Sequence, residues 1–212
     1  MTLWVAAMLP PKSARIAGNA GISIVESGTL NLGRVTMPAA ATGNFSATSV
    51  NGDIIDTGLS NVRPGGTVGG AGTGVVSLTA SNGNITLDDP TTEFPTSGGV
   101  VFNAKNVTLA PLGGATLVLG AANQTASAAN LTVTSATGSI GNAGAVKVTS
   151  DASFQTGTGN IDLTNSGNAF GSVRFAGAVV SITEADDIAL ASGSSATGAA
   201  TFNSVGGSIA IV

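Results

Sequence analysis

The sequence contains no cysteine, no histidine and no tyrosine. Without cysteine there is no disulfide staple and no thiolate metal site, so the fold rests on backbone ladders and packing alone. Without histidine there is no imidazole base, no Ser-His-Asp triad and no His-based metal cluster. Charge is also scarce: charged residues make up 8% of the chain, against a usual share of about a quarter. Seven Lys and Arg cannot build the basic stripe that phosphate backbones require, which excludes nucleic acid as a partner. No apolar run is long enough to span a membrane as a helix. The apolar alternations last about five residues, shorter than the roughly 9–11 of a membrane barrel strand. The apolar N-terminal run Thr2–Leu9 lacks a preceding basic region and a clean cleavage site, so it does not read as a signal peptide.

What the chain does have is apolar residues (42%) and glycine, 31 of 212 residues. Disordered chains are poor in apolar residues and rich in charge, and this one is neither. No heptad, collagen period or helical stripe accompanies the glycine. Val, Ile and Thr fill segments separated by Gly and Asn, which is the pattern of strands and turns.

Those segments repeat. Marks aligned on an apolar–x–apolar triplet recur at Ile22-Ser-Ile24, Ile54, Ile85-Thr-Leu87, Val107-Thr-Leu109, Ile140, Ile161-Asp-Leu163, Val180-Ser-Ile182 and Ile209-Ala-Ile211. Five triplets carry Gly two residues earlier, at Gly52, Gly83, Gly138, Gly159 and Gly207. Phe45, Phe102, Phe154, Phe175 and Phe202 stand five to nine residues upstream of their triplets, with Leu78 and Val133 in the equivalent place elsewhere. Intervals of 19 to 33 residues suit a solenoid, whose turns bury their apolar side chains only by stacking. The expected fold is all-β, a right-handed parallel β-helix of about seven turns over residues 18–212. Residues 1–17 form a non-repeat segment, a cap or linker. The expected core stack is Ile85, Leu87, Val107, Leu109, Ile140, Ile161, Leu163, Val180, Ile182, Ile209 and Ile211, with Phe102, Phe154, Phe175 and Phe202. Ile161 is expected to stack on Val180, and Leu163 on Ile182. The corner glycines are expected at positive φ. Length variation is assigned to the loops 63–74 and 88–99.

The stretches "GNIDLTNSGNAFGSVRFAGAVVSITEADDIAL", "ANLTVTSATGSIGN" and "GVVSLTASNGNITL" resemble the shaft repeats of filamentous-haemagglutinin-like exoproteins, over roughly residues 18–212. The resemblance implies a β-helix, two-partner secretion to the bacterial cell surface or beyond, and a role in adhesion, with a host surface or glycan as partner. The "NPNG"-type motif of that family's secretion module is absent, so the chain reads as a piece of shaft.

Candidate chemistry is sparse. Asp88-Asp89 and the group Glu184, Asp186 and Asp187 read as solvated turn acids, without the glycine-aspartate signature of calcium solenoids. Arg174 and Asp162 are the one pair expected to face outward on successive coils, and a surface ion pair is worth little. Neither phosphate-binding glycine motif occurs. Five sequons, at Asn44, Asn84, Asn106, Asn123 and Asn130, are modification candidates, but Asn-apolar-Thr is also how a turn enters a strand here. Outward Thr86 and Thr108 raise an ice-binding array, which Gly141 and Asp162 interrupt. No catalytic, cofactor or metal residues are assigned. The leading reading is a non-catalytic structural segment of a secreted or cell-surface adhesin. The alternative is a filament subunit that associates head to tail through Ser208, Ala210 and Val212. A polysaccharide-active β-helix enzyme ranks third.

Overall fold

The structure, a computed structural model, describes residues 12–15, 21–36, 43–56, 74–89, 92, 94 and 98–212. It contains β1 (Lys12–Arg15), β2 (Ile22–Glu26), β3 (Leu30–Thr36), β4 (Phe45–Ser49), β5 (Ile54–Ile55), β6 (Val76–Ala80), β7 (Ile85–Leu87), β8 (Val100–Leu109), β9 (Leu117–Leu119) and β10 (Ala126–Ser135). These are followed by β11 (Ile140–Asn142), β12 (Val146–Thr156), β13 (Ile161–Leu163), β14 (Ala169–Gly177), β15 (Val180–Glu184), β16 (Ile188–Leu190), β17 (Ser195–Ala196), β18 (Ala200–Ser204) and β19 (Ile209–Ile211). No helix is found among the described residues. The strands pair in parallel, each with its counterpart one coil away, and the chain is a β-solenoid of about seven turns.

Three faces wind around one core. The first stacks β2, β4 and β6 on the leading halves of β8, β10, β12 and β14. The second stacks β3, β5 and β7 on the trailing halves of those four long strands, then β16, β17 and β19. The third stacks β9, β11, β13, β15 and β18. β1 joins the second face on β3. Alternation does the rest: in β2, β4, β6 and β15 every second residue is buried. Most of the loop 63–74 and half of the loop 88–99 lie outside the described residues.

Ile161 stands on Val180, and Leu163 on Ile182. The other triplets do not form one column. Ile85 stacks on Val107, but Val107 continues to Leu131, not Ile140. Ile140 belongs to the third face, between Leu117 and Ile161. Ile209 returns to the second face on Ile188. The Phe column divides likewise: Phe45 and Phe102 on the first face, Phe154 paired with Phe175 on the second, and Phe202 on Ile182 of the third. An apolar–x–apolar triplet marks any inward-facing strand. It says nothing of which face that strand joins, so one apparent phase concealed three. On the second face the steps from Val107 to Leu131, Ala152 and Val173 are about 21–24 residues, enough for three short strands and their turns.

The expected core residues from Ile85 to Ile182 are buried, including Leu87, Leu109, Phe102, Phe154 and Phe175. Ile209 and Ile211 are corrections: they are 49% and 85% exposed. Among the described residues β19 pairs with β16 alone, so their inward positions are closed on one side only. Phe202 is partly buried, packed beside Phe175 with ring centroids 5.3 Å apart.

Candidate functional site

The polar chemistry is concentrated at the corners. The Gly-x-Ile corner glycines Gly52, Gly83, Gly138, Gly159 and Gly207 are not at positive φ; that backbone occurs at Gly99, Gly114, Gly120, Gly193 and Asn123. A Cβ on Gly83 would strike the carbonyl of Gly52, and one on Gly159 that of Gly138. Glycine is there because successive corners touch. After Gly52 and Gly138 the next residue binds the coil that follows: Asp53 Oδ1 accepts the Asn84 N–H (2.7 Å) and Ser139 Oγ the Asn160 N–H (3.0 Å). Asp187, which precedes Ile188 without a glycine before it, accepts the Ser208 N–H in the same way (2.7 Å). A hydroxyl three residues before the glycine completes the turn. Ser49, Ser135 and Ser204 accept the N–H of Gly52, Gly138 and Gly207, while Thr156 donates to the Gly159 carbonyl.

A second line of side chains climbs the bend between the first and second faces. Asn84 Nδ2 donates to Asp53 Oδ1 (3.3 Å), Asn106 Nδ2 to Asn84 Oδ1 (2.7 Å), and Asn130 Nδ2 to Asn106 Oδ1 (2.8 Å). The Asp151 N–H continues to Asn130 Oδ1 (3.3 Å), and Ser172 Oγ donates to Asp151 Oδ1 (2.7 Å). β12 and β14 shift register at this bend, and side chains bridge coils there. Three of the five sequon asparagines are thus rungs whose amide nitrogens are already donating. Outward Thr86, Thr108, Thr132, Ser153 and Arg174 form one column on the second face. Asp162 lies on the third face beside Gly141 and Ser181, so Arg174 and Asp162 do not share a face.

Glu184 is not the solvated turn acid expected, and Asp56, not singled out from the sequence, is not one either. Asp56 is buried and gathers the next coil's turn around itself. It accepts from Thr92 Oγ1 (2.6 Å), the Asp88 N–H (3.1 Å) and the Asp89 N–H (3.4 Å). Burial raises its pKa, and those hydrogen bonds oppose the rise. Glu184 is completely buried at the end of β15. One oxygen, Oε2, accepts the Phe170 N–H at 2.8 Å; the other, Oε1, has no hydrogen-bond partner. Burial raises its pKa to about 7. Both acids were legible from strand alternation, since Asp56 follows Ile54 by two residues and Glu184 follows Ile182 by two. For Glu184 the neighbouring Asp186 and Asp187 hid this, because a run of acids reads as a turn. Asp187 is a turn acid, its pKa lowered by the hydrogen bonds from Ser208. No group of three acids that could hold a metal occurs among the described residues.

The buried interior holds one more polar centre. Asn168 is fully buried; its Oδ1 accepts from the Val146 N–H (2.9 Å) and Asn142 Nδ2 (2.7 Å), and its Nδ2 donates to the carbonyls of Leu163 and Thr183. Asn168 therefore ties three coils together.

At the last coil, Ser208 and Val212 direct their backbone groups back to the preceding coil. The Ser208 carbonyl accepts from Ile188, and Val212 exchanges bonds with Leu190 and Ser192. Strand alternation then gives the outward-directed backbone groups to Ile209 and Ile211, not to Ser208, Ala210 and Val212.

A family model described as "Repeats of unknown function (DUF5649)" matches residues 104–176. No curated protein and no solved structure matches the chain. The matched stretch runs from the bend of β8 into β14 and contains the rungs Asn106, Asn130, Asp151 and Ser172. The repeat character is therefore shared where the coils are most regular.

Proposed function

We propose that this chain is a non-catalytic structural segment of a secreted or cell-surface bacterial exoprotein, a rigid spacer within an adhesin. The observation that carries it is the allocation of side chains. Corner acids and the asparagine line bind one coil to the next, corner hydroxyls close the turns, and the interior is stacked aliphatic and aromatic. Such a device resists extension, because coil separation breaks a ladder of backbone bonds and a row of side-chain bonds together. The resemblance to filamentous-haemagglutinin-like shafts supports the location and the adhesive role. Protease treatment of intact source cells tests it, followed by mass spectrometry of the released peptides. Peptides from residues 98–212 should be released from intact cells; their protection until lysis would refute a surface location.

A second reading, end-to-end association, is favoured by one observation: Val205, Ile209, Ile211 and Val212 are exposed together at the last coil. Light scattering of the purified chain separates the readings. Mass that grows with concentration supports association, and a constant monomer mass excludes it.

A further inference from the structure

We propose that Glu184 is a proton-controlled latch that closes the coils from β16 to β19 onto the solenoid when neutral and loosens them when ionised.

The geometry makes the carboxyl expensive to ionise. Glu184 is completely buried, and its Oε2 accepts a single backbone N–H, that of Phe170. Its Oε1 has no partner. A buried carboxylate needs a cation or two to three donors to remain charged, and otherwise takes up a proton. The charged groups of the surrounding elements supply no cation. β15 has no other charged residue, and neither does β18. β13 contributes Asp162, exposed. β14 contributes Arg174 and β12 contributes Lys147 and Asp151, all exposed on the outside of their strands. The turn after β15 holds Asp186 and Asp187, both exposed, and Asp186 opposes ionisation.

The position makes the carboxyl a latch. Phe170 stands near the start of β14, and Glu184 grips its N–H from the coil that follows. Immediately afterwards the Ala185 N–H bonds the Asn168 carbonyl (2.8 Å), and the Ala191 N–H bonds that of Val173 (2.9 Å). Everything from β16 to β19 is stacked beyond this point. An ionised Glu184 gains water only by withdrawing the end of β15, which frees the Phe170 N–H and lifts the 185–191 segment.

The sign follows from proton linkage. In the closed state the group titrates near 7, raised from 4.5; in the opened, hydrated state it titrates in the ordinary range. Between those values the closed state holds a proton that the open state has lost. The opening constant therefore rises about tenfold per pH unit from about pH 5 to about pH 7, then levels off.

Amide hydrogen exchange across pH 4.5–8.5, corrected for intrinsic exchange, reads that constant at Phe170, Ala185 and Ala191. The full chain should show the rise at these amides and a flat response at Val133 and Phe154. Glu184→Gln should remove the rise, because a neutral amide keeps an acceptor for Phe170 and does not titrate. A flat profile in the unmodified chain, or a rise that survives in Glu184→Gln, overturns the latch. Should the variant fold poorly, the Glu184 carboxyl carbon can be titrated by NMR in the unmodified chain. A midpoint near 7 supports the latch, and one in the ordinary carboxylate range overturns it.

Discussion

At the scale of single residues, the corner glycine shows how one atom limits a solenoid. Gly159 is retained by contact, not by dihedral angle, because its missing Cβ is where the Gly138 carbonyl lies. Gly159→Ala must push two coils apart, an overpacking that costs about 1–3 kcal/mol. Gly28, with open space where a Cβ would go, should accept Ala with little loss; denaturant midpoints of the two variants check the contrast. The phenylalanines give a second contrast. Phe154 is fully buried and meets Phe170 edge-on at 5.6 Å, so Phe154→Ala should cost about 3–5 kcal/mol. Phe202, partly exposed on β18, should cost clearly less when replaced by Ala. Equal losses in urea unfolding would mean that the last coils are covered in solution.

At the scale of elements, the asparagine line predicts a response that composition alone does not. Asn106 donates to Asn84 and accepts from Asn130, so Asn106→Ala removes two hydrogen bonds. At about 0.5–1.5 kcal/mol each, and with water available at this exposed corner, the loss should be about 1–2 kcal/mol. Asn106→Asp should fall between Ala and the unmodified chain, since a carboxylate still accepts from Asn130 but cannot donate to Asn84. Thermal melts of the two variants test this, and an Asp variant as stable as the unmodified chain would show that the rungs act as spacers only. Much of the strand pattern was legible beforehand. Val, Ile and Phe at alternate positions identify Ile161, Leu163, Val180 and Ile182 as inward, and the interval between the two triplets gives their stacking. The face each strand joins was not legible. Leu131 and Ala152 continue the Val107 column without a preceding glycine, while Ile140 and Ile161 have the glycine and belong elsewhere. The corner hydroxyls were legible in principle: Ser49, Ser135, Thr156 and Ser204 each stand three residues before a corner glycine, and aligning on glycine alone would have revealed them.

At the scale of the whole molecule, the acids set the direction in which stability changes with pH. A carboxyl whose pKa is raised by folding binds its proton more tightly folded than unfolded. Its contribution is complete below the unfolded value and is lost as pH rises through the folded one. Glu184, raised from 4.5 to about 7, places that loss between about pH 5 and pH 7. At 1.36 kcal/mol per unit, the full span amounts to roughly 3 kcal/mol, an upper bound because loosened coils admit water. Asp56 is raised as well and adds to the same trend from a lower starting point. Asp187 opposes it, since its lowered pKa gives stability that is lost as pH falls, but it is fully exposed and held only by Ser208. The chain should therefore melt at a higher temperature at pH 5 than at pH 8, the reverse of a protein held together by exposed carboxylate pairs. Glu184→Gln should flatten most of that difference, and Asp56→Asn a smaller part. If calorimetry finds the unmodified chain more stable at pH 8, Glu184 is ionised in the folded state, and the burial of its carboxyl does not govern how the last coils are held.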